Sequence, residues 1–117
     1  MTVWVYMLRC GDGSLYTGMT TRLEVRLRQH RDKTARCKFT RRADKHPLKL
    51  AAAWALQGTR GDALRLERYI KGLSRAQKLN LAADAALLQH YIEQDGFPLD
   101  CDMVPSQGES SLQEDRT

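Results

Sequence analysis

Thr2-Val3-Trp4-Val5-Tyr6-Met7-Leu8-Arg9-Cys10-Gly11-Asp12-Gly13-Ser14-Leu15-Tyr16-Thr17-Gly18 is the stretch on which the fold turns. Residues 2–9 are β-branched, aromatic and apolar on both alternating faces, the composition of a strand buried on each side. Cys10 to Gly13 is a turn signal. Residues 14–18 resume an extended pattern, so the stretch predicts a β-hairpin. Thr20 or Thr21 can cap a helix over residues 22–31. Leu23 and Leu27 set its buried stripe. Arg26 and His30, four residues apart, share one flank of that stripe.

Residues 32–47 lack apolar periodicity, are basic, and end at Pro47. They predict a long loop, and long loops in small domains often carry function. Leu48 to Leu56 admits two readings: its alanines allow a helix, while its length and apolar character suit a central strand. Residues 62–73 predict a helix with Ala63, Leu66, Ile70 and Leu73 on one face and Glu67 at its border. Ser74 caps a further helix over about 75–82, and Asp84 can cap another to about Gln94. Runs of strands followed by helices, without βαβ alternation, predict an α+β fold. The expected form is a small sandwich in which the hairpin and one later strand make a three-stranded sheet flanked by helices. The expected folded domain is 1–94. Residues 95–117 form an acidic C-terminal tail, with 101–117 expected to be mostly disordered.

Composition narrows the function. The chain of 117 residues carries 42% hydrophobic and 28% charged residues, ordinary for one soluble domain. No apolar run approaches a membrane span. Arg9 and Asp12 interrupt the N-terminus, and no small-residue cleavage site follows, so no signal peptide is read and the expected location is the cytoplasm. Cys10, Cys37 and Cys101 have unrelated spacings and no C-x-x-C, which predicts reduced thiols.

Charge is divided unevenly. Residues 1–94 hold eighteen Lys/Arg against eight Asp/Glu, a net of +10, whereas residues 95–117 hold one Arg against six acids, a net of −5. Residues 22–49 alone carry eleven basic residues and three acids. Clustering of one sign predicts a polyanionic partner, most commonly nucleic acid. Lys33, Arg36, Lys38, Arg41, Arg42 and Lys45 are the candidates for gripping its backbone, which gives affinity without sequence choice.

Tyr6 in the first strand, Tyr16-Thr17-Gly18 in the second, then Arg26, His30 and Glu67 form an ordered series. With Leu15-Tyr16-Thr17-Gly18-Met19-Thr20, Leu23 and Leu27, and with Ala63-Leu64-x-x-Glu67-x-x-Ile70-Lys71 and Arg75-x-x-Lys78, the series resembles the GIY-YIG nuclease superfamily. The likeness is greatest to its small, stand-alone bacterial (YhbQ-like) branch, and at longer range to the N-terminal nuclease domain of UvrC. It spans roughly residues 3–83. Trp4 and Val5 replace the usual Gly and Ile of the first motif, and Thr17 the central Ile of the second.

The resemblance implies a metal-dependent endonuclease that hydrolyses DNA phosphodiesters with little sequence specificity, choosing by DNA structure, in repair or recombination. It implies one divalent metal, Mg²⁺ or Mn²⁺, on Glu67, with water and phosphate oxygens completing the shell. Tyr6 or Tyr16 would orient or deprotonate the attacking water. A free phenol with a pKa near 10 is a poor base, and Arg26 nearby would lower it. Arg26 would also stabilise charge on the scissile phosphate. His30 would assist proton transfer or hold a tyrosine. Gly18 would let a phosphate approach the backbone, and Lys71 joins the nucleic-acid contacts. Taken singly, each residue has a plainer reading: the tyrosines as core aromatics, His30 as a packed imidazole, Glu67 with Lys71 as a helix-surface pair. Two other functions fit the same residues: a non-catalytic nucleic-acid-binding accessory module, targeted by a protein partner, or an enzyme acting on RNA.

Overall fold

The hairpin forms where the sequence places it. The computed structural model describes residues 1–108. Strand β1 covers Thr2–Arg9 and β2 covers Leu15–Thr20, paired antiparallel with Tyr6 opposite Gly18. Helix α1 is Leu23–Arg31, and Thr20 Oγ1 accepts from the Arg22 amide just before it.

The basic segment 32–47, expected as a long loop, instead folds back on local hydrogen bonds. It forms the short helix α2, Lys38–Arg41, and a 3-10 turn, Ala43–Lys45. The alanine-rich segment resolves as strand β3, Lys49–Gln57. Small side chains there let a strand lie between two neighbours and under helices on one face. Helices α3 (Arg60–Lys71), α4 (Arg75–Ala83) and α5 (Leu87–Gln94) follow. Thr59 with Asp62 and Ser74 with Gln77 form reciprocal capping boxes that start α3 and α4. Asp84, expected as the cap of α5, is the C-cap residue of α4; its carboxylate accepts from the Ala86 amide ahead of α5.

The sheet has four strands, not three. Strand β4, Asp102–Gln107, pairs antiparallel with β3, giving the order β2-β1-β3-β4. The disorder expected from residue 101 onward is therefore overturned for this strand, and the folded chain continues beyond residue 94. What holds β4 is backbone pairing with an otherwise open edge, reinforced by one side chain. Gln107 Nε2 donates to Ala51 O at 2.8 Å and to Ala82 O at 2.6 Å, and its Oε1 accepts from the Ala85 amide at 2.8 Å. Pro105 is tolerated because an edge strand has amides that need no partner. Disorder expected for residues 109–117 concerns positions outside those described.

Alternation along the strands divides the core in two. Val3, Val5, Met7, Trp54 and Leu56 face α3, α4 and α5, joined by Ala63, Leu66, Ile70, Leu81, Leu88 and Ile92. Tyr6, Leu8, Leu48 and Ala53 face the other way, where Tyr16, Leu23 and Leu27 pack against them. Edge strand β2 thus has α1 on one side and α3 on the other.

Candidate active site

Tyr6 owes its position to the strand period. It points to the α1 side of β1 and is 1% exposed. Opposite it stands Gly18. A Cβ at Gly18 would lie 2.6 Å from Tyr6 Oη, 2.7 Å from Tyr6 Cζ and 3.0 Å from Tyr16 Cε2. Only a glycine leaves room for both rings. The space over Gly18 is thus filled by the tyrosines rather than open to a phosphate, which corrects the expected role of this residue. The two phenol rings stand 6.3 Å apart, centroid to centroid.

His30 closes the pair from the last turn of α1. It is 1% exposed. Its Nε2 lies 2.8 Å from Tyr6 Oη, and its Nδ1 2.8 Å from Thr40 Oγ1. Burial, then the charge of Arg26, then His46, depress its pKa from 6.5 to about 4. The imidazole is therefore neutral at pH 7, with one donor and one acceptor nitrogen. Thr40 Oγ1 is directed at the Cys37 carbonyl at 3.5 Å. The pattern that satisfies the imidazole runs one way: Tyr6 O–H donates to Nε2, Nδ1–H donates to Thr40 Oγ1, and the Thr40 proton is left for Cys37, at its carbonyl or its sulfur.

Neither tyrosine is acidified. Burial pushes the Tyr6 phenol well above its ordinary value; Tyr16 adds to this and Arg26 opposes it. For Tyr16 burial again dominates, followed by its hydrogen bond to Cys37, with Arg26 opposing. Arg26 acts in the expected direction but is outweighed, because taking a phenolate out of water costs more than one half-exposed cation returns. The expectation of a lowered tyrosine pKa is overturned for the free protein.

Arg26, one helical turn before His30, acts electrostatically on Tyr6, Tyr16 and His30 alike. Glu67 arrives from α3, beside the buried Leu66 and Ile70, and is 9% exposed. Its negative charge is felt by both phenols. Lys71 Nζ lies 3.2 Å from its Oε2. The helix-surface pair and the site-facing carboxylate are therefore the same residue, and Lys71 is its partner. Among the described residues no cluster of three or more His, Cys, Asp or Glu could hold a metal. A lone, poorly exposed carboxylate whose counter-ion is itself exposed does fit a hard cation that keeps most of its waters and takes phosphate oxygens as further ligands.

The basic segment separates into two groups. Lys33, Arg36, Lys38 and Arg41 are exposed. Arg42 is exposed but forked onto Asp44, with contacts of 3.1 and 2.8 Å. Lys45 is 7% exposed. Its Nζ lies 2.7 Å from Asp12 Oδ2 and 4.2 Å from the Phe39 ring centroid. Lys45 therefore ties the segment to the hairpin turn, and its ammonium is withdrawn from the backbone contact expected of it.

Three residues of the site gave no sequence signal. Thr40 is fully buried and orients His30. Phe39 stacks on Tyr16 with centroids 5.9 Å apart. Burial raises the Cys37 thiol, but hydrogen bonds from the Thr40 side chain and amide, the Tyr16 hydroxyl and the Phe39 amide outweigh it, leaving its pKa below the ordinary value. All three lie in a segment without periodicity, and only its folding back onto α1 brings them to the site.

Known proteins share this sequence pattern. The family described as the GIY-YIG catalytic domain matches residues 2–80. A UPF0213 protein of Halalkalibacterium halodurans is 39% identical over 83 residues, 71% of this chain and 84% of its own length. The UPF0213 protein YhbQ of Escherichia coli is 41% identical over 88 residues, covering 74% of this chain and 84% of the relative. A solution NMR structure of a UPF0213 protein from Bacillus halodurans is 31% identical, covers 84% of this chain and 89% of that one, and superposes with a TM-score of 0.43.

Proposed function

Since this chain belongs to the GIY-YIG catalytic domain family, a family of nucleases, we propose that it hydrolyses DNA phosphodiester bonds with the help of a divalent cation at Glu67. The observation that carries this reading is the Tyr6–His30 hydrogen bond at 2.8 Å, flanked by Arg26 and facing Glu67. A purely structural tyrosine needs no imidazole held neutral beside it, and a purely binding site needs no nearly buried carboxylate among cations.

The chemistry follows from these groups. Arg26 draws the scissile phosphate and cannot give up its proton, so it stabilises charge that builds on the phosphoryl oxygens. Binding that phosphate offsets the charge of Arg26, the second cause of the low His30 pKa. The imidazole then becomes a better proton acceptor when substrate is present. Tyr6 passes its proton to His30 Nε2 as it takes one from the attacking water, and Thr40 holds the ring through Nδ1. Tyr16, packed edge-on to His30 at 5.4 Å, supports the imidazole from the other side. The cation at Glu67 supplies Lewis-acid stabilisation of the leaving oxygen when bound. Lys71 is exposed enough to swing away from Glu67 and pair with a phosphate instead. With no groove-reading element on the basic surface among the described residues, the cut depends on DNA structure rather than sequence, as suits an enzyme of repair or recombination.

The test is cleavage of single-stranded, duplex, nicked, flap and branched DNA, and of RNA, with Mg²⁺, Mn²⁺ or EDTA. Metal-dependent cutting that disappears in Glu67→Ala supports the reading. Binding without cutting, equal in the wild type and Glu67→Ala, would replace it with the accessory-module reading. Cutting of RNA in EDTA would point to a metal-free ribonuclease.

A further inference from the structure

Next to Arg26, the start of α1 and the start of α3 border an open-sided cavity of about 220 Å³. Arg22, Arg26, Gln29 and Arg60 line it, with Thr20 and Thr21 at the end of β2. No carboxylate is among its walls. Three arginines border this space, Arg26 half-buried and Arg22 and Arg60 exposed, and among the described residues none of them is held in an ion pair. Only three other described arginines form ion pairs, Arg31 with Asp32, Arg42 with Asp44 and Arg65 with Asp62; what sets Arg22, Arg26 and Arg60 apart is that they line one cavity. Keeping three like charges together without a counter-ion costs energy unless an anion visits them.

The backbone adds to the same field. Helix α1 starts at Leu23, and its N-cap residue Arg22 makes no side-chain cap, so the first-turn amides beyond Arg22 have no side-chain acceptor, although Glu24 stands in the same turn. The start of α3 differs, because Thr59 and Asp62 already close it. Arg26 belongs to this cavity and to the catalytic group, so an anion in the cavity sits next to the phosphate being cut.

We propose that the cavity binds a second backbone phosphate of the nucleic acid, adjacent to the scissile one, with Arg22 and Arg60 as its ligands and Gln29 as a hydrogen-bond donor. This subsite rests on the nuclease reading and extends it. Arg26 bridges the two phosphates, so the strand is fixed in register across the active site. The protein then needs a polynucleotide strand, and a small phosphodiester without a flanking phosphate is a poor substrate.

The experiment is DNA binding by Glu67→Ala protein across a range of salt, with Arg22→Ala and Arg60→Ala singly and together, and Arg68→Ala as an exposed α3 control. The double variant is expected to lose affinity by about tenfold to a hundredfold, as for charged hydrogen bonds. Its log–log salt slope should fall by about 0.7 to 0.9, the value for one phosphate. Arg68→Ala should change neither appreciably. In parallel, single neutral methylphosphonates are walked along the strand with the Glu67→Ala protein alone. Two adjacent sensitive positions are expected, one of which loses its sensitivity in the double variant. A single sensitive position, or a double variant that behaves like Arg68→Ala, would overturn the subsite while leaving cleavage by the wild type intact. Failure of the wild type to bind any nucleic acid would overturn the functional reading, and the subsite with it.

Discussion

Tyr6 and His30 show how burial, rather than the nearest charge, decides what a titrating group does. Arg26 favours a phenolate, yet both phenols are raised because they sit under α1 with little water. Removing only the Tyr6 hydroxyl should therefore break proton transfer while leaving the core filled. Tyr6→Phe is expected to lower kcat by about 10²-fold or more, with an unchanged circular dichroism spectrum. Gly18→Ala should reach the same end by a steric route. Its methyl would meet Tyr6 Oη and Cζ at under 3 Å, push the ring off His30, and cost roughly 1–3 kcal/mol in urea unfolding. His30 also links stability to pH. Its folded pKa of about 4 lies below the ordinary 6.5, so between these values the unfolded chain takes up a proton that the folded one refuses. The contribution is complete above about pH 6.5, is lost as pH falls towards 4, and then levels off. Urea midpoints of wild type and His30→Gln should converge over that window; a constant gap would show that His30 is not held neutral.

At the scale of elements, the later strands and the basic segment separate what local pattern can show from what it cannot. Strands β1 and β2 were legible because a β-branched, aromatic run and a glycine-containing turn act over a few residues. Helices α3 and α4 were legible from apolar period and, for α4, the Ser74 cap. Strand β4 was not: it is exposed, contains Pro105, and has no apolar face to betray it. It exists because β3 offers an open edge and Gln107 spans from the sheet to the α4–α5 connection. Gln107→Ala should cost about 1–3 kcal/mol, the range for losing partly buried hydrogen bonds, measured by denaturant unfolding. Hydrogen exchange of the β3 amides should quicken in the same variant. No change in either would show that strand pairing alone holds β4.

Across the whole molecule, charge and shape work together. The basic excess read from residues 22–49 is real, but the fold sorts it. Lys45 is folded inwards and Arg42 is paired, whereas Arg22, Arg26 and Arg60 converge without a counter-ion. Binding to DNA should therefore be steeply salt-dependent, weakening by orders of magnitude between about 50 and 200 mM salt if six or more phosphates are contacted. Fluorescence anisotropy with labelled duplexes of unrelated sequence should give nearly equal affinities at each salt concentration. A shallow slope with strong preference for one sequence would contradict a backbone-reading surface.

The sequence by itself determined the hairpin, the helices that carry Arg26, His30 and Glu67, the family, and the overall basic balance. Each of these is encoded by period, capping residues or composition, which act locally or add up over the chain. Only the tertiary structure decided that Gly18 makes room for tyrosines, that Thr40 and Cys37 stand behind His30 and Tyr16, and that Arg60 joins Arg22 and Arg26. Gly18 lies twelve positions from Tyr6, Thr40 ten from His30 and Arg60 thirty-eight from Arg22, and no periodicity links them. Their meeting depends on strand register and on which helices flank the β2 edge, and burial at that meeting point is what sets the charge states of the site.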